Sequence, residues 1–165
     1  MTLVTGDDLL PLLHGHVDII RRENAIQPVR LRASERAMFD PVARHAASMT
    51  TGIRLRFQTR SRHLRLVTSQ RQGVPDEEDQ SQARYEIFIG DRLIRRKRAE
   101  GGARVSTGPL EAADERAVLS VECAAGMKQV ELWFPPATTV AIEALELDQH
   151  AEFAPWPDEL SLIHI

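Results

Sequence analysis

The chain has little cysteine, few aromatic residues and no long apolar run, and each shortage excludes a class of protein. Its single cysteine, Cys123, leaves no partner for an internal disulfide and no CxxC zinc or redox motif. No stretch approaches the roughly 20 apolar residues that a membrane helix needs. Residues 1–16 carry acids before a short apolar patch and lack a basic start, which argues against a secretory signal. We therefore expect a soluble, cytoplasmic protein that does not contact a membrane.

The charge balance argues against a protein dedicated to nucleic acid. The net charge is −3, whereas nucleic-acid-binding proteins usually carry a clear cationic excess. The sequence is 42% hydrophobic and 27% charged, which is ordinary for a globular protein and unlike a disordered tail. A length of 165 residues suits one domain.

The dominant pattern is alternation of apolar and polar residues, which is typical of half-buried strands. Its clearest example is residues 52–59 (GIRLRFQT), with Ile53, Leu55 and Phe57 on one face and Arg54, Arg56 and Gln58 on the other. Residues 63–68 repeat the pattern after a short break, which predicts a hairpin. Further strands are predicted at 85–89, 93–94, 117–123, 129–134 and 139–147, with weaker candidates at 17–21 and 26–31.

The helical signal is scarce. Asp40 followed by Pro41 is a typical helix start and predicts one short helix over residues 40–47. Glycine at position 90 predicts the turn of a second hairpin, between residues 85–89 and 93–94. Many strands and at most one or two short helices indicate an all-β fold, a jelly-roll or galactose-binding-like β-sandwich.

Motifs that carry chemistry are absent from the sequence. There is no G-x-S-x-G elbow, no HExxH pair and no phosphate-binding glycine loop, so we predict no catalytic residue, metal or cofactor. His14 and His16 are close in sequence, but no third ligand lies nearby, and we interpret them as a solvated pair. Cys123 ends an alternating strand and is interpreted as a buried small apolar residue. An enzyme built on an acid pair at the mouth of the sandwich remains a minor alternative.

Trp133 is the most informative single residue. In residues 129–134 (QVELWF), Val130, Leu132 and Phe134 fit the core face, so Trp133 and Glu131 are expected to point outward. A large outward aromatic residue on a β-sandwich is either a platform for a sugar ring or a contact to another domain. A covering loop or sheet could equally bury it for structural reasons.

The alternation ends after residue 148, which predicts a domain boundary. We assign residues 1–150 to the β-sandwich and residues 151–165 to a proline-stiffened linker toward a missing C-terminal domain. The last six residues (LSLIHI) resemble translated adapter sequence more than a native terminus, which suggests a truncated gene.

Several stretches taken in order resemble one family. Residues 26–31 (IQPVRL), 49–59 (MTTGIRLRFQT), 85–93 (YEIFIGDRL), 130–136 (VELWFPP) and 140–148 match its strands in order and spacing. The chain resembles the N-terminal jelly-roll β-sandwich of bacterial GDSL-type SGNH hydrolases and acyltransferases. It is more distantly similar to the N-terminal domain of carbohydrate esterase family two.

The resemblance implies that the chain is a non-catalytic domain. In that family the sandwich precedes an α/β catalytic domain whose serine lies in a G-[DS]-S block soon after the linker. Here no such block occurs, Asn24 is the sole asparagine and no D-x-x-H is present, so no catalytic residue transfers. The parent protein is expected to be a GDSL-type hydrolase of ester bonds.

Two functions follow as hypotheses. In the first, the chain is a non-catalytic domain that packs on a C-terminal SGNH domain in cis and helps to bind a sugar or another small acyl acceptor, with Trp133 and Trp156 as contacts. In the second, it is a stand-alone carbohydrate-binding module. The first predicts that the isolated chain exposes an apolar patch and associates with itself.

Overall fold

The computed structural model describes residues 1–72, 84–104 and 116–156, which form two β-sheets packed around one core. The helical segments of these residues are short: 3-10 helices at Gly6–Leu12 and Arg36–Met38, and one α-helix, α1, at Pro41–Ser48. None of them is long and apolar enough to cross a membrane.

In chain order the strands are β1 (Thr2–Thr5), β2 (Leu13–His14), β3 (Asp18–Arg21), β4 (Ile26–Val29), β5 (Arg54–Thr59), β6 (His63–Gln72), β7 (Tyr85–Ile89), β8 (Arg92–Lys97), β9 (Glu100–Gly101), β10 (Ala103–Arg104), β11 (Arg116–Glu122), β12 (Lys128–Trp133), β13 (Thr138–Leu147) and β14 (Phe153–Pro155).

The strands form one eight-stranded and one six-stranded sheet. Sheet A has the order β3-β4-β13-β6-β11-β9, with β1 also paired to β13 and β10 to β6. Sheet B has the order β14-β5-β12-β7-β8, with β2 also paired to β5. Within the described ranges every pairing is antiparallel except the two-residue β10–β6 pair. The predicted all-β sandwich is confirmed.

The apolar residues of the alternating strands form one core that the two sheets share. Leu55 and Phe57 of β5 and Leu64 and Leu66 of β6 are almost completely buried in one apolar cluster, although β5 and β6 belong to different sheets. Burying each such side chain stabilises the fold by about 1.5–3 kcal/mol. Cys123 is buried in the same cluster, as predicted.

The hairpin predicted from residues 52–59 and 63–68 is wrong. The two strands form, but β5 lies in sheet B and β6 in sheet A, so the short link between them crosses from one sheet to the other. Ser61 is buried in this link, and its hydroxyl donates to the carbonyl of His63. Alternation shows which face of a strand is buried, but it does not show which strand lies beside it.

Two local predictions are confirmed. The Asp40 side chain accepts a hydrogen bond from the backbone of Ala43 at 2.9 Å and so caps α1, and Pro41 occupies its first turn. β7 and β8 pair as an antiparallel hairpin. Gly90 has φ +62 at its turn, a conformation that glycine adopts without strain.

The sandwich extends beyond the predicted boundary at residue 150. β14 pairs antiparallel with β5, with Phe153 opposite Thr59. The carbonyl of Glu152 accepts hydrogen bonds from the Thr59 hydroxyl at 2.8 Å and from the Arg60 backbone at 3.1 Å. The first part of the predicted linker is therefore an edge strand, because β5 leaves backbone groups there for it to pair with. Residues 157–165 lie outside the described residues.

Candidate functional site

Strand β12 brings Glu131 and Trp133 to the outward face of sheet B. Val130 and Leu132 on the same strand are buried in the core, and Glu131 and Trp133 are half-buried on the opposite side. The predicted outward orientation of Trp133 is confirmed. The adjacent residue, Phe134, is buried, as the alternation predicts.

Strand β5 places two arginines beside these residues. Arg54 lies opposite Trp133 and Arg56 opposite Glu131 in the antiparallel register. The guanidinium carbon of Arg54 is 4.5 Å from the centre of the Trp133 ring, which is a cation–π contact.

Trp156 reaches the same face from the other edge of β5. Pro155, the last residue of β14, pairs with Phe57, so the next residue along the chain falls beside Arg56. The Arg56 guanidinium carbon is 4.3 Å from the centre of the Trp156 ring. The structure thus brings the two tryptophans singled out from the sequence to one surface, while their role in binding stays a prediction.

The carboxylate of Glu131 lies between the two arginine–tryptophan stacks. Its Oε1 is 2.7 Å from Arg56 Nε and 3.9 Å from Arg54 Nε, and its Oε2 accepts a hydrogen bond of 2.9 Å from Trp133 Nε1. We call Arg54, Arg56, Glu131, Trp133 and Trp156 the tryptophan face. The alternating pattern of residues 52–59 predicts that the two arginines point outward. Nothing in the sequence showed that they stack on the tryptophans, because that contact depends on the register between strands.

A groove runs along the tryptophan face. It encloses about 700 Å³ and is lined by Glu86, Phe88, Gly90, Asp91, Gln129, Glu131, Trp133 and Trp156. Glu86 pairs with Arg96 at 2.7 Å, and Glu131 pairs with arginine as above. Among the described residues the side chains of Asp91 and Gln129, which also line the groove, make no hydrogen bond.

One serine, one histidine and one aspartate meet at a different corner of the sandwich without forming a catalytic triad. Ser61 Oγ donates to the backbone carbonyl of His63 at 2.7 Å and accepts from the backbone of Asp148 at 2.8 Å, so it does not hydrogen-bond to the imidazole. His63 Nδ1 lies 3.0 Å from Asp148 Oδ1. A nucleophilic serine needs the imidazole as its base. The hydrogen bonds of this cluster therefore stabilise the fold.

Asp148 holds the start of β6 at that corner. Its Oδ2 accepts hydrogen bonds from the backbone of Arg62, in the link between β5 and β6, at 2.6 Å, and from the backbone of His63, the first residue of β6, at 3.2 Å. The Arg62 hydrogen bond, helped by those from His63 and Ser61, lowers the pKa of Asp148 to about 2.

The glycine between His14 and His16 has a packing role. Gly15 has φ +84, and a Cβ atom there would collide with the backbone carbonyl of Gly52. Burial, with the charge of His14, lowers the pKa of His16. In residues 1–72, 84–104 and 116–156 no three His, Cys, Asp or Glu side chains come together to hold a metal ion.

The fold is shared with solved structures of GDSL-type proteins. The salicylyl-acyltransferase SsfX3 from a tetracycline biosynthetic pathway is similar over 94% of this chain and 41% of its own chain, with a TM-score of 0.73 and 24% identity. A GDSL-like lipase from Bacteroides ovatus is similar over 94% of this chain and 43% of its own, with a TM-score of 0.63 and 12% identity. At these identities the comparison establishes a GDSL-related fold.

The chain spans about two fifths of the length of these two proteins. No protein-family model matches it, and neither does any curated protein sequence.

Proposed function

We propose that this chain is a non-catalytic N-terminal domain of a GDSL/SGNH-family esterase or acyltransferase. In this role it packs on the catalytic domain and helps to shape the binding site for a sugar or another small acyl acceptor. The observation that carries the proposal is the tryptophan face. It combines two half-buried indole rings with the two arginines that lie against them on the outward side of sheet B, and aromatic and arginine side chains are enriched in contacts with a partner.

The course of the chain supports this proposal. Trp156, the last residue of the third described range, belongs to the tryptophan face, which is the surface that the partner domain would cover. The GDSL-type proteins of shared fold are more than twice as long as the matched region, which leaves ample length for a second domain. The sequence itself holds no serine, asparagine or histidine block of the family.

A face of this kind can aid catalysis without touching the reacting atoms. Contacts to a remote part of a substrate orient it, and correct orientation lowers the barrier of a reaction between two bound groups. Trp133 lies on β12 and Trp156 directly follows β14, so the face can form one wall of a cleft whose other wall is the catalytic domain.

The first test is to sequence the source DNA beyond the codon for Ile165. We expect the frame, or a corrected frame near residue 160, to continue into a G-[DS]-S block and later a D-x-x-H block. A genuine stop codon after Ile165 would overturn the proposed arrangement in cis.

The second test measures contact with the downstream polypeptide. That polypeptide is purified separately and titrated with this chain by calorimetry. The W133A/W156A variant is expected to bind at least about tenfold more weakly, because buried aromatic residues dominate such interfaces. Arg65→Ala, on the outward face of sheet A, serves as the control and should bind like the parent chain. Equal binding by the tryptophan variant would exclude this face as the contact.

The groove favours a second candidate, a stand-alone carbohydrate-binding module. Sugar rings stack on indole, and Asp91 and Gln129 are free to accept and donate hydrogen bonds to hydroxyl groups. Titration of the chain with a panel of glycans would then give micromolar to millimolar affinities that Gln129→Ala and Trp133→Ala weaken. Flat titrations across the panel would exclude this candidate.

A further inference from the structure

The two arginine–tryptophan stacks of the tryptophan face share one carboxylate. Trp133 is on β12 and Trp156 directly follows β14, and β5 lies between these two strands in the sheet. Each ring lies against an arginine of β5, and both arginines approach Glu131 Oε1. The second oxygen of that carboxylate accepts the hydrogen bond from Trp133.

Trp156 depends on this arrangement more than Trp133 does. Trp133 is part of a six-residue strand paired on both sides, with Arg54 of β5 and with Glu86 of β7. Trp156 follows an edge strand of three residues, and its ring contacts the guanidinium of Arg56. That guanidinium is fixed in turn by the 2.7 Å ion pair with Glu131, whose side chain is 16% exposed.

An arginine side chain has many rotamers, and stacking on an indole requires one of them. Ordering such a side chain costs conformational entropy, which offsets much of an isolated cation–π contact. A carboxylate that already holds the guanidinium removes part of that cost, because the arginine is ordered before the ring meets it. Glu131 does this for Arg56 directly, and for Arg54 at a longer distance.

We propose that Glu131 is the positioning residue that holds Trp133 and Trp156 as one preformed contact surface. A partner then meets two rings already in place and has no need to order them during binding. The inference deepens the proposed function and rests on it for the identity of the partner. The coupling of the two rings through Glu131 is a property of the chain alone and is tested without a partner.

The test reads each tryptophan separately. Two backgrounds, W133F and W156F, each leave one tryptophan to report through near-UV circular dichroism and acrylamide quenching of its fluorescence. In the W133F background, Glu131→Ala is expected to raise the quenching rate of Trp156 by about twofold and to weaken its near-UV signal, because Arg56 loses its 2.7 Å ion pair with Glu131. Glu131 is linked to Trp156 through Arg56, so this change would report the coupling itself.

Glu143→Ala is the matched control, since Glu143 is an outward glutamate of sheet A with its own arginine and serine partners. It should leave both tryptophan signals unchanged. An unchanged Trp156 signal in the Glu131→Ala variant would overturn the proposal. So would an equal change caused by Glu143→Ala, because the effect would then report general loosening of the sandwich.

Two further variants keep the test decisive if Glu131→Ala folds poorly. Glu131→Gln retains an oxygen for Trp133 Nε1 and loses the charge that holds Arg56, so we expect the Trp133 signal to be largely restored and the Trp156 signal to stay weak. Arg56→Lys keeps the positive charge and loses the flat guanidinium, so it should loosen Trp156 and leave Trp133 as it was. A change of the Trp133 signal without a change of the Trp156 signal would contradict the proposed role of Arg56.

The outcome separates this inference from the proposed function. Coupled tryptophan signals together with no binding of the downstream polypeptide would support the inference and count against the partner. Binding that is lost in W133A/W156A but kept in Glu131→Ala, with uncoupled signals, would support the partner and overturn the inference.

Discussion

Arginine–glutamate pairs between neighbouring strands lie on the outward faces of both sheets, but the side chains around them differ. On sheet A, Arg65 pairs with Glu146 at 2.7 Å, and Glu143 accepts a hydrogen bond from Ser69 at 2.8 Å and lies 3.5 Å from Arg116. On the tryptophan face of sheet B, the arginine–glutamate pair has an indole ring on either side of it.

The difference shows what an ion pair contributes on a sheet surface. On sheet A neither tryptophan lies beside the pairs, and the polar groups satisfy one another. On sheet B the pair orders two rings that keep exposed surface, so the same chemistry prepares a contact. The identity of the neighbouring side chains decides between the two outcomes.

The largest expected effect concerns the core that both faces share. Leu132→Ala beneath the tryptophan face and Leu66→Ala beneath the face of sheet A should each lower the free energy of unfolding by about 2–5 kcal/mol, because each leaves a cavity in a packed core. Both leucines are 1% exposed. Urea denaturation of the two variants measures the losses. A much smaller loss for one of them would show that the two sheets do not share one core equally.

The next effect concerns Asp148, which holds the start of β6. The pKa of Asp148 is about 2 in the folded chain, below its ordinary value of 3.8, so its carboxylate contributes stability above about pH 4 that is lost as the pH falls toward 2. Asp148→Asn should therefore be less stable than the parent chain at about pH 6, and the difference should shrink toward about pH 2.

Urea midpoints across this pH range measure the difference. Asp91→Asn is the control, since Asp91 makes no side-chain hydrogen bond within the described ranges. A constant difference between the parent chain and Asp148→Asn at every pH would mean that the carboxylate charge is not the source of its contribution.

A smaller effect separates the two faces directly. At high concentration we expect the isolated chain to associate through the tryptophan face, and W133A/W156A to reduce that association in size-exclusion chromatography. Each substitution alone should cost about 0.5–1 kcal/mol of stability through the lost cation–π contact. Arg65→Ala on sheet A should leave association unchanged. A parent chain that elutes as a monomer at high concentration would contradict the expectation.

The smallest effect compares the two ion pairs. In a double-mutant cycle the Arg65–Glu146 pair should show a coupling of about 0.2–1 kcal/mol that salt screens, because Arg65 is 48% exposed. The Arg56–Glu131 pair, with both side chains 16% exposed, should show a larger coupling that is less sensitive to salt. Equal coupling energies for the two ion pairs would contradict the expected difference between the two faces.

Much of the fold was predictable because the alternation of apolar and polar residues along a strand indicates which side chains are buried. It predicted the strands that became β5, β6, β7, β11, β12 and β13, and the outward orientation of Trp133. It paired β5 with β6 wrongly, since a strand shows which of its faces is buried and leaves its neighbours undetermined. It also assigned Phe153 to a linker, because a three-residue edge strand carries almost no periodic signal.

The sequence by itself determined the all-β class, the inward and outward sets of each strand and the lack of the family's catalytic blocks. These follow from local periodicity and residue type, which any short window of the chain contains. The tertiary structure alone decided that Glu131, Arg56 and Trp156 meet, since that meeting depends on the register of β12 with β5 and of β14 with β5. Register is set by contacts between distant segments, and the chain must fold before those contacts exist.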